Sequence, residues 1–401
     1  MLTTINPLLP QYEEYADAYM DTFPDRTVEV RGVSAEGAEY IQMLSTGRLS
    51  GEIPDVFFTG TAWINELSNE GITLDLSEGL SDGKLGETDA DDFLSQFVDQ
   101  YRPTDSPQEI HGLPVSADSV ALFYNADLFE QAGVEELPQP DWTWDDMYRI
   151  AEEIQDATGG SVLGLAAPMS DGSPTGTYGP VVEAFGGYLY DPETNTTGIG
   201  QPEALEAWEL LLSAYGTTSG DYAATPKDPV YDFQTGNIAM AIGSRATIPA
   251  TQESLEGVEW DVQVVPTING NSTTNGGSYG MSMAADSENL EAAWAFLEWF
   301  YDPEAGMEVA QQVGGAIPAT EEGIDSGSWR EVEPPPANIE IFAQTARDAV
   351  LLQPMPGSGA ATLAEATKYA AQQVLLEGRS IEDAFGEAEQ TVNEALAAEA
   401  D

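Results

Sequence analysis

The feature that most limits the possible folds of this chain is the alternation of short apolar runs with amphipathic helical patterns along most of its 401 residues. Short apolar runs between turn signals predict strands, and apolar positions at helical spacing predict helices. Their alternation is typical of α/β proteins in which crossover helices join parallel strands. The predicted strands are residues 27–30, 55–58, 120–124, 238–242 and 262–265. The predicted helices are residues 9–22, 40–46, 144–158, 202–215, 288–301, 303–313, 363–376 and 381–398.

Several of these helices carry end signals. Pro202 and Pro303 suit a first helical turn, and Ser287 suits an N-cap. Gly133 and Gly378 suit the position just after a last turn, where a left-handed backbone is common. At roughly 150 residues per domain, the length predicts two to three domains.

The charge excludes some partners. The chain has 70 acidic and 12 basic residues, so its formal net charge is -58. Such a charge repels nucleic-acid phosphates and anionic lipid headgroups, and we expect neither as a partner. The acids are scattered, which predicts a solvated acidic shell. Its charges repel over about 10 Å in 0.1 M salt but over only about 3 Å in 1 M salt, where the repulsion largely vanishes. We therefore expect a halophilic source, with an acidic mesophilic protein as the alternative.

The cysteine count and the lengths of the apolar runs exclude some kinds of site and some kinds of protein. With no cysteine, the chain forms no disulfide and no thiolate metal site. No run reaches the roughly 18 apolar residues of a membrane span. Residues 1–15 lack the pattern of a signal peptide, so we expect an export signal either to have been removed or never to have existed.

One stretch matches a catalytic pattern. Residues 276–280 fit G-x-S-x-G, the nucleophile elbow of α/β-hydrolases, which needs a later histidine. The single histidine, His111, lies upstream, and a strand pattern follows Gly280. The glycines better suit a tight turn or close backbone approach to a ligand. Paired carboxylates for glycoside hydrolysis occur at any spacing by chance among 70 acids. We predict no catalytic residue and no metal site.

Seven blocks in order resemble family 1 extracellular solute-binding proteins, the maltose-binding-like receptors of ABC importers. The blocks are "GRLSGEIPDVFF", "HGLPVSADSVALFYNADLFEQAG", "WTWDDMYRIAEEI", "FGGYLY", "FQTGNIAMAIGS", "VQVVPTINGNSTTNGGSYGMSMAADSENLEAAWAFLEWFYDPEAG" and "GGAIPA". The resemblance implies a two-lobed, type II periplasmic-binding-protein-like α/β fold, each lobe a mixed sheet flanked by helices, with the ligand between the lobes. Lobe one would be residues 1–115 and 267–313, lobe two 119–262 and 317–401, and the hinge would lie near 116–118, 263–266 and 314–316.

The resemblance also implies a function. The chain would be a non-enzymatic receptor that captures a mono- or oligosaccharide outside the cell and delivers it to the permease subunits of an ABC transporter. It implies a monomer without cofactor, at the cell surface, with a secretion signal and a lipid anchor upstream of this sequence. The alternative is a secreted glycoside hydrolase of a halophile.

The resemblance assigns most of the candidate ligand residues. Asp118 matches the acidic ligand-binding position, where an ionised carboxylate accepts strong hydrogen bonds from sugar hydroxyls. Its alternatives are a turn cap or an acid solvated with the others. Tyr178 matches a loop that supplies aromatic platforms, and its alternative is a packing tyrosine. Gly277, Ser278 and Tyr279 match a strand that approaches ligand, and their alternative is a plain strand edge.

Four further positions are less regular. Asn6, Glu36 and Thr59 match the lobe-one loops that face the ligand, with ordinary exposed loop residues as the alternative. Where the family often has Gly-Pro-Trp, this chain has Gly243-Ser244-Arg245. A guanidinium at Arg245 can stack on a ring or bind an anionic group in a bidentate manner, so an anionic sugar is an open choice; a salt bridge is the alternative. The indoles of Trp63, Trp294 and Trp299 are predicted to pack.

Overall fold

The structure is a computed structural model, and it describes residues 1–34, 38–166, 178–215 and 233–399. The strands are β1 Leu2–Ile5, β2 Val30–Val33, β3 Val56–Gly60, β4 Leu113–Pro114, β5 Asp118–Asn125, β6 Leu163–Leu165, β7 Ile238–Ser244, β8 Trp260–Gln263, β9 Gly276–Gly277 and β10 Tyr279–Met283. The helices are α1 Leu9–Thr22, α2 Ala38–Ser50, α3 Ile64–Asn69, α4 Ser77–Ser81, α5 Ser95–Asp99, α6 Ala126–Ala132, α7 Trp144–Ala157, α8 Gly179–Ala184, α9 Pro202–Ser213, α10 Ile248–Ser254, α11 Leu290–Tyr301, α12 Gly306–Gly314, α13 Glu321–Ser326, α14 Ile341–Arg347, α15 Gly359–Glu377 and α16 Ile381–Glu399.

The first sheet is mixed and has the order β2-β1-β3-β10-β4. β1 is parallel to both β2 and β3, whereas β10 is antiparallel to both β3 and β4. All four residues of β1 are buried, and so are the first four of β3, which is expected of strands covered on both faces. The aromatic rings of α1 and α11 pack against one another beside this sheet, with Tyr15 and Phe300 at 5.2 Å between ring centroids.

The second sheet follows the path β6-β7-β5-β8. β6 is parallel to β7, and β5 is antiparallel to β7 and β8. The core beside it joins α7, α8, α9, α15 and α16, and the stacked rings of Trp208 and Phe385, 4.4 Å apart, lie inside it. The fold is therefore the mixed α/β class that the sequence predicts, with two sheets and flanking helices.

The described chain divides into two compact units, residues 1–118 with 277–331 and residues 119–276 with 332–401. Each unit contains one of the two sheets. Residues 267–276 belong to the second unit and residues 314–331 to the first, whereas the resemblance places 267–276 in lobe one and 317–331 in lobe two. The predicted lobe and hinge boundaries stay a prediction.

Some predicted helix ends are confirmed and others are wrong. Pro202 begins α9, and both Gly133 and Gly378 follow their helices with a left-handed backbone. Ser287 does not cap α11, which begins after Asn289. Pro303 also lies outside its helix, because α12 begins at Gly306. Across the described ranges, no helix combines the length and apolar character that crossing a bilayer requires.

Candidate functional site

The chemically useful side chains of the first unit gather at one edge of its sheet. The loops after β1, β2 and β3 leave this edge, and because β10 is antiparallel to β3, the start of β10 lies there too. Pro114, at the end of β4, pairs with Gly280, which brings the segment 115–118 to the same edge. We call this the carboxyl edge of sheet one. The crevice outside the carboxyl ends of strands is where open α/β sheets commonly bind ligands.

Tyr279 presents an aromatic ring at this edge. It is 52% exposed, whereas most of the described tyrosines are buried. Its ring centroid lies 5.0 Å from that of Phe58, which in turn lies 5.6 Å from Trp63. Trp63 is itself half-buried and packs on Tyr40. The exposed ring therefore stands on a fixed aromatic base, which suits the C–H face of a sugar.

Asp118 supplies a carboxylate at the same edge. It is half-buried at the start of β5, and the Ser116 hydroxyl donates a hydrogen bond to its Oδ2 at 3.1 Å. Burial raises the pKa of the Tyr15 phenol on α1, and Tyr12 and the charge of Asp118 raise it further. An ionised carboxylate has about four lone-pair sites, and Ser116 occupies one.

The structure places the other lobe-one candidates in different surroundings. Asn6 is exposed just after β1, and its amide donates to the Ser34 hydroxyl at 3.1 Å, so it is at the carboxyl edge. Glu36 lies outside the described residues. Thr59 corrects the prediction of a loop residue: it lies inside β3, fully buried, and its hydroxyl donates to Ser282 at 2.6 Å. The buried hydroxyl of Thr59 is not accessible to a ligand at the surface.

Ser278 and Gly277 also lie at this edge, with different surroundings. The Ser278 hydroxyl donates to the Tyr279 carbonyl at 2.6 Å and accepts from the Ser116 backbone N–H at 3.4 Å. The Ser278 hydroxyl is therefore hydrogen-bonded to the protein's own backbone. Gly277 has open space around its Cα, since a Cβ there would meet nothing within 4 Å. A ligand could approach the backbone closely at Gly277.

Gly280, the last glycine of the G-x-S-x-G stretch, has a packing role. A Cβ at Gly280 would lie 2.3 Å from Cε1 of Tyr101 and 2.7 Å from its hydroxyl oxygen. Tyr101 is fully buried and donates to the Ser278 carbonyl at 3.0 Å. Burial raises the pKa of Tyr101 far above its usual value, so the phenol stays a donor. The stretch continues as a strand, as the sequence predicts, and not as the helix of a nucleophile elbow.

We expect Gly280→Ala to lower the free energy of unfolding by about 1–3 kcal/mol, because the new methyl group overlaps a ring that cannot leave its site. Gly277→Ala is the matched control, since its methyl group meets open space. Melting curves in molar salt measure both. Equal melting temperatures for the two variants would contradict the packing role of Gly280.

The second unit holds two candidates that both prove to be buried. Arg245 follows β7 and is only 6% exposed. Val120 pairs with Ser244, so Arg245 stands beside the amino end of β5. Tyr178 is fully buried: its ring lies 5.4 Å from Trp208, and its hydroxyl is 2.9 Å from that of Thr367. Tyr178 thus packs in the core and presents no exposed platform, which favours the packing alternative.

Sequence reasoning missed some residues of this edge. Trp294, Trp299 and Trp63 all pack as predicted, and Trp63, half-buried at the carboxyl edge, also supports the ring of Phe58. The sequence patterns do not assign Ser116 or Tyr101 to the site. Ser116 had a usable signal, since it stands two positions before the acidic candidate Asp118. Within the described ranges, no group of three or more histidines or acids is arranged to hold a metal.

Two mixed sheets with flanking helices match the fold of the two-lobed solute-binding proteins. The chain belongs to the family described as bacterial extracellular solute-binding protein, whose model matches residues 6–307. Members of this family are extracellular or periplasmic proteins that bind solutes and are not enzymes. The comparisons lend no support to a glycoside hydrolase.

Individual relatives agree with this family. The maltotriose-binding protein of Pyrococcus abyssi is 24% identical over 362 residues, which cover 88% of this chain and 72% of the relative. An ABC substrate-binding protein of Listeria monocytogenes, solved with cycloalternan, superposes with a TM-score of 0.79 at 24% identity, over 99% of this chain and 98% of its own. The sugar-binding protein MalE of Xanthomonas citri gives 0.83 at 18% identity, over 99% and 97%. At these identities the two structures show the shared fold and no more.

Proposed function

We propose that this chain is the carbohydrate receptor of an ABC importer, and that the carboxyl edge of sheet one contributes to its sugar site. The observation that carries the proposal is that the Asp118 carboxylate and the exposed ring of Tyr279 both lie at this edge. A sugar has hydroxyl donors around its ring and C–H groups on its faces. A carboxylate accepts from the first, and an aromatic ring packs on the second.

Each remaining candidate has a defined part in the proposal. Asn6 donates or accepts hydrogen bonds at the edge, and Gly277 allows the ligand to approach the backbone. A ligand role for Arg245, which is 6% exposed in the second unit, stays a separate prediction that Arg245→Ala tests. The relatives named for maltotriose and solved with cycloalternan support an oligosaccharide as the ligand class. We further propose that the receptor works at the cell surface, held there by a lipid anchor, and delivers its ligand to permease subunits.

The acidic shell is part of the same proposal. We attribute the net charge of -58 to adaptation to molar salt, and hence to a halophilic source. Even if every basic side chain neutralised one acid, 70 - 12 = 58 acids would stay uncompensated. Exposed ion pairs such as that of Arg48 with Asp286 do not change this balance.

The test is a retention experiment in molar salt. The protein is incubated with a mixture of neutral oligosaccharides from starch and arabinan and uronic-acid oligosaccharides from pectin, and the retained fraction is analysed by mass spectrometry. We expect one sugar class to be retained intact and to raise the melting temperature, since a ligand at 100 times its Kd stabilises by about 2.7 kcal/mol.

Controls separate the alternatives in this experiment. Asp118→Ala should lose most of the retention. Shorter products would show turnover and would favour the hydrolase. Retention of uronic-acid sugars that Arg245→Ala abolishes would identify an anionic ligand, and unaffected retention of neutral sugars would identify a neutral one. If the wild-type protein retains no sugar, the carbohydrate receptor proposal fails.

A further inference from the structure

A continuous set of hydrogen bonds joins the two main ligand candidates inside the first unit. The Tyr101 phenol donates to the Ser278 carbonyl at 3.0 Å, and the Ser116 N–H donates to the Ser278 hydroxyl at 3.4 Å. The Ser116 hydroxyl then donates to Asp118 Oδ2 at 3.1 Å. We call Tyr101, Ser278 and Ser116 the brace. It connects the backbone next to Tyr279 with the carboxylate of Asp118.

Two more backbone contacts hold the same segments together. The Ser278 hydroxyl and the Val115 N–H both donate to the Tyr279 carbonyl, at 2.6 and 2.8 Å. The carbonyl of the exposed tyrosine is therefore held from two sides, while its ring projects outward. Nothing in the local sequence joins residue 116 to residue 278, so this link exists only in the folded chain.

Tyr101 and Ser116 are sheltered from solvent, whereas Ser278 is half-buried. Tyr101 is fully buried and Ser116 is 6% exposed. A ligand therefore cannot easily reach their hydroxyl groups, and water competes poorly for them. Each hydroxyl also has a specific acceptor with good donor–acceptor distance. Their arrangement suits groups that orient other side chains more than groups that touch the ligand.

Orientation matters for affinity because a free carboxylate and a free ring lose rotational freedom on binding. A binding site whose first contacts are already fixed loses less of that freedom, and it binds more tightly without any new contact. In this unit, Ser116 restricts the carboxylate of Asp118, and Tyr101 restricts the backbone at Ser278, directly before Tyr279.

Resting on the proposed sugar site, we propose that Ser116 and Tyr101 are positioning residues, which set the orientation of Asp118 and Tyr279 and couple the two. Neither touches the sugar. The loss of either hydroxyl weakens binding although every ligand-contacting side chain is still present.

The first test removes and restores the hydroxyl of Ser116. The ligand is the component that the wild-type protein retains from the mixture of starch, arabinan and pectin oligosaccharides, titrated by calorimetry in molar salt. We expect Ser116→Ala to weaken affinity about threefold to tenfold, the loss typical of one hydrogen bond, and Ser116→Thr to return it to within about twofold of wild type. Ser287→Ala is the matched control, because Ser287 also donates to a carboxylate, that of Asp55, in the same unit. It should leave affinity unchanged.

The second test separates positioning from stability. Tyr101→Phe removes a phenol that donates to Ser278, and Tyr301→Phe removes an equally buried phenol that donates to the Leu113 carbonyl at 3.0 Å. Both variants should have a slightly lower melting temperature than the wild-type protein. Only Tyr101→Phe should weaken affinity, by about threefold to tenfold. Hydrogen exchange without ligand should also quicken at the Val115 amide in Tyr101→Phe and not in Tyr301→Phe.

The third test is a double-mutant cycle. In the Asp118→Ala background the Ser116 hydroxyl has no carboxylate to orient, so adding Ser116→Ala should change affinity by less than about twofold. If Ser116→Ala and Tyr101→Phe bind like wild type, or if the losses at 116 and 118 simply multiply, the positioning role is wrong while the sugar site stands. If no sugar is retained at all, the proposed function fails first, and unchanged exchange at Val115 still contradicts the brace.

Discussion

The melting temperature of this protein should rise steeply with salt, by about 10 °C or more between about 0.1 M and 1 M KCl. The repulsion among 58 uncompensated acids acts over roughly 10 Å at the lower concentration and roughly 3 Å at the higher one. Screening it is worth several kcal/mol of unfolding free energy, at about 2–4 °C per kcal/mol for units of this size. Thermal melts monitored by circular dichroism across a salt series measure the effect.

A charge-reduced variant shows whether screening is the cause. Glu13 and Asp17 are exposed one helical turn apart on α1, where like charges repel. Replacing them as Glu13→Gln with Asp17→Asn should raise the melting temperature in low salt and leave it unchanged in molar salt. Sorbitol at equal osmolality should stabilise far less than KCl. A melting temperature that does not depend on salt would contradict the acidic-shell interpretation.

The sequence predicts the fold well where local signals decide the structure. Helix α1 is observed over the predicted residues 9–22, and α7 begins at Trp144 as predicted, behind a capping box formed by Thr143 and Asp146. Such ends depend on side chains within one turn, which are visible in the sequence. The class of the fold follows from the same alternation of strands and helices.

The predicted boundaries of helices and strands are wrong where a residue far away in the sequence determines them. Ser287 has the right residue type for an N-cap, but its hydroxyl donates to Asp55, 232 residues away, and α11 starts later. The second strand is Val30–Val33 and not residues 27–30, because its register is fixed by β1. No local pattern contains either partner.

The candidate site shows the same division. Tyr178 and Tyr279 are the same residue type in similarly matched positions, yet one is enclosed by Trp208 and Thr367 and the other is half exposed. Thr59 matched a loop but lies within a buried strand. The identity of a residue predicts what it can bind. Only the packing around it decides whether a ligand can reach it.

Asp118→Asn should weaken sugar affinity about tenfold to a hundredfold. The substitution keeps the shape of the side chain, removes its charge and turns one acceptor into a donor. Hydrogen bonds to a charged acceptor contribute about 1.5–3 kcal/mol, and 1.4 kcal/mol corresponds to a factor of ten in Kd. Ser116 can still donate to the remaining carbonyl oxygen, so the side chain keeps its orientation and the loss reports the charge.

Calorimetric titration in molar salt with the retained sugar measures this loss, and two comparisons make it specific. The melting temperature of Asp118→Asn without ligand should stay near wild type, because Asp118 is half-buried at a strand start and not inside a core. Asp17→Asn, an exposed acid on the same unit, removes the same charge away from the carboxyl edge and should leave affinity unchanged. Wild-type affinity in Asp118→Asn would remove this carboxylate from the site, and the brace would then have no ligand-binding group to orient on that side.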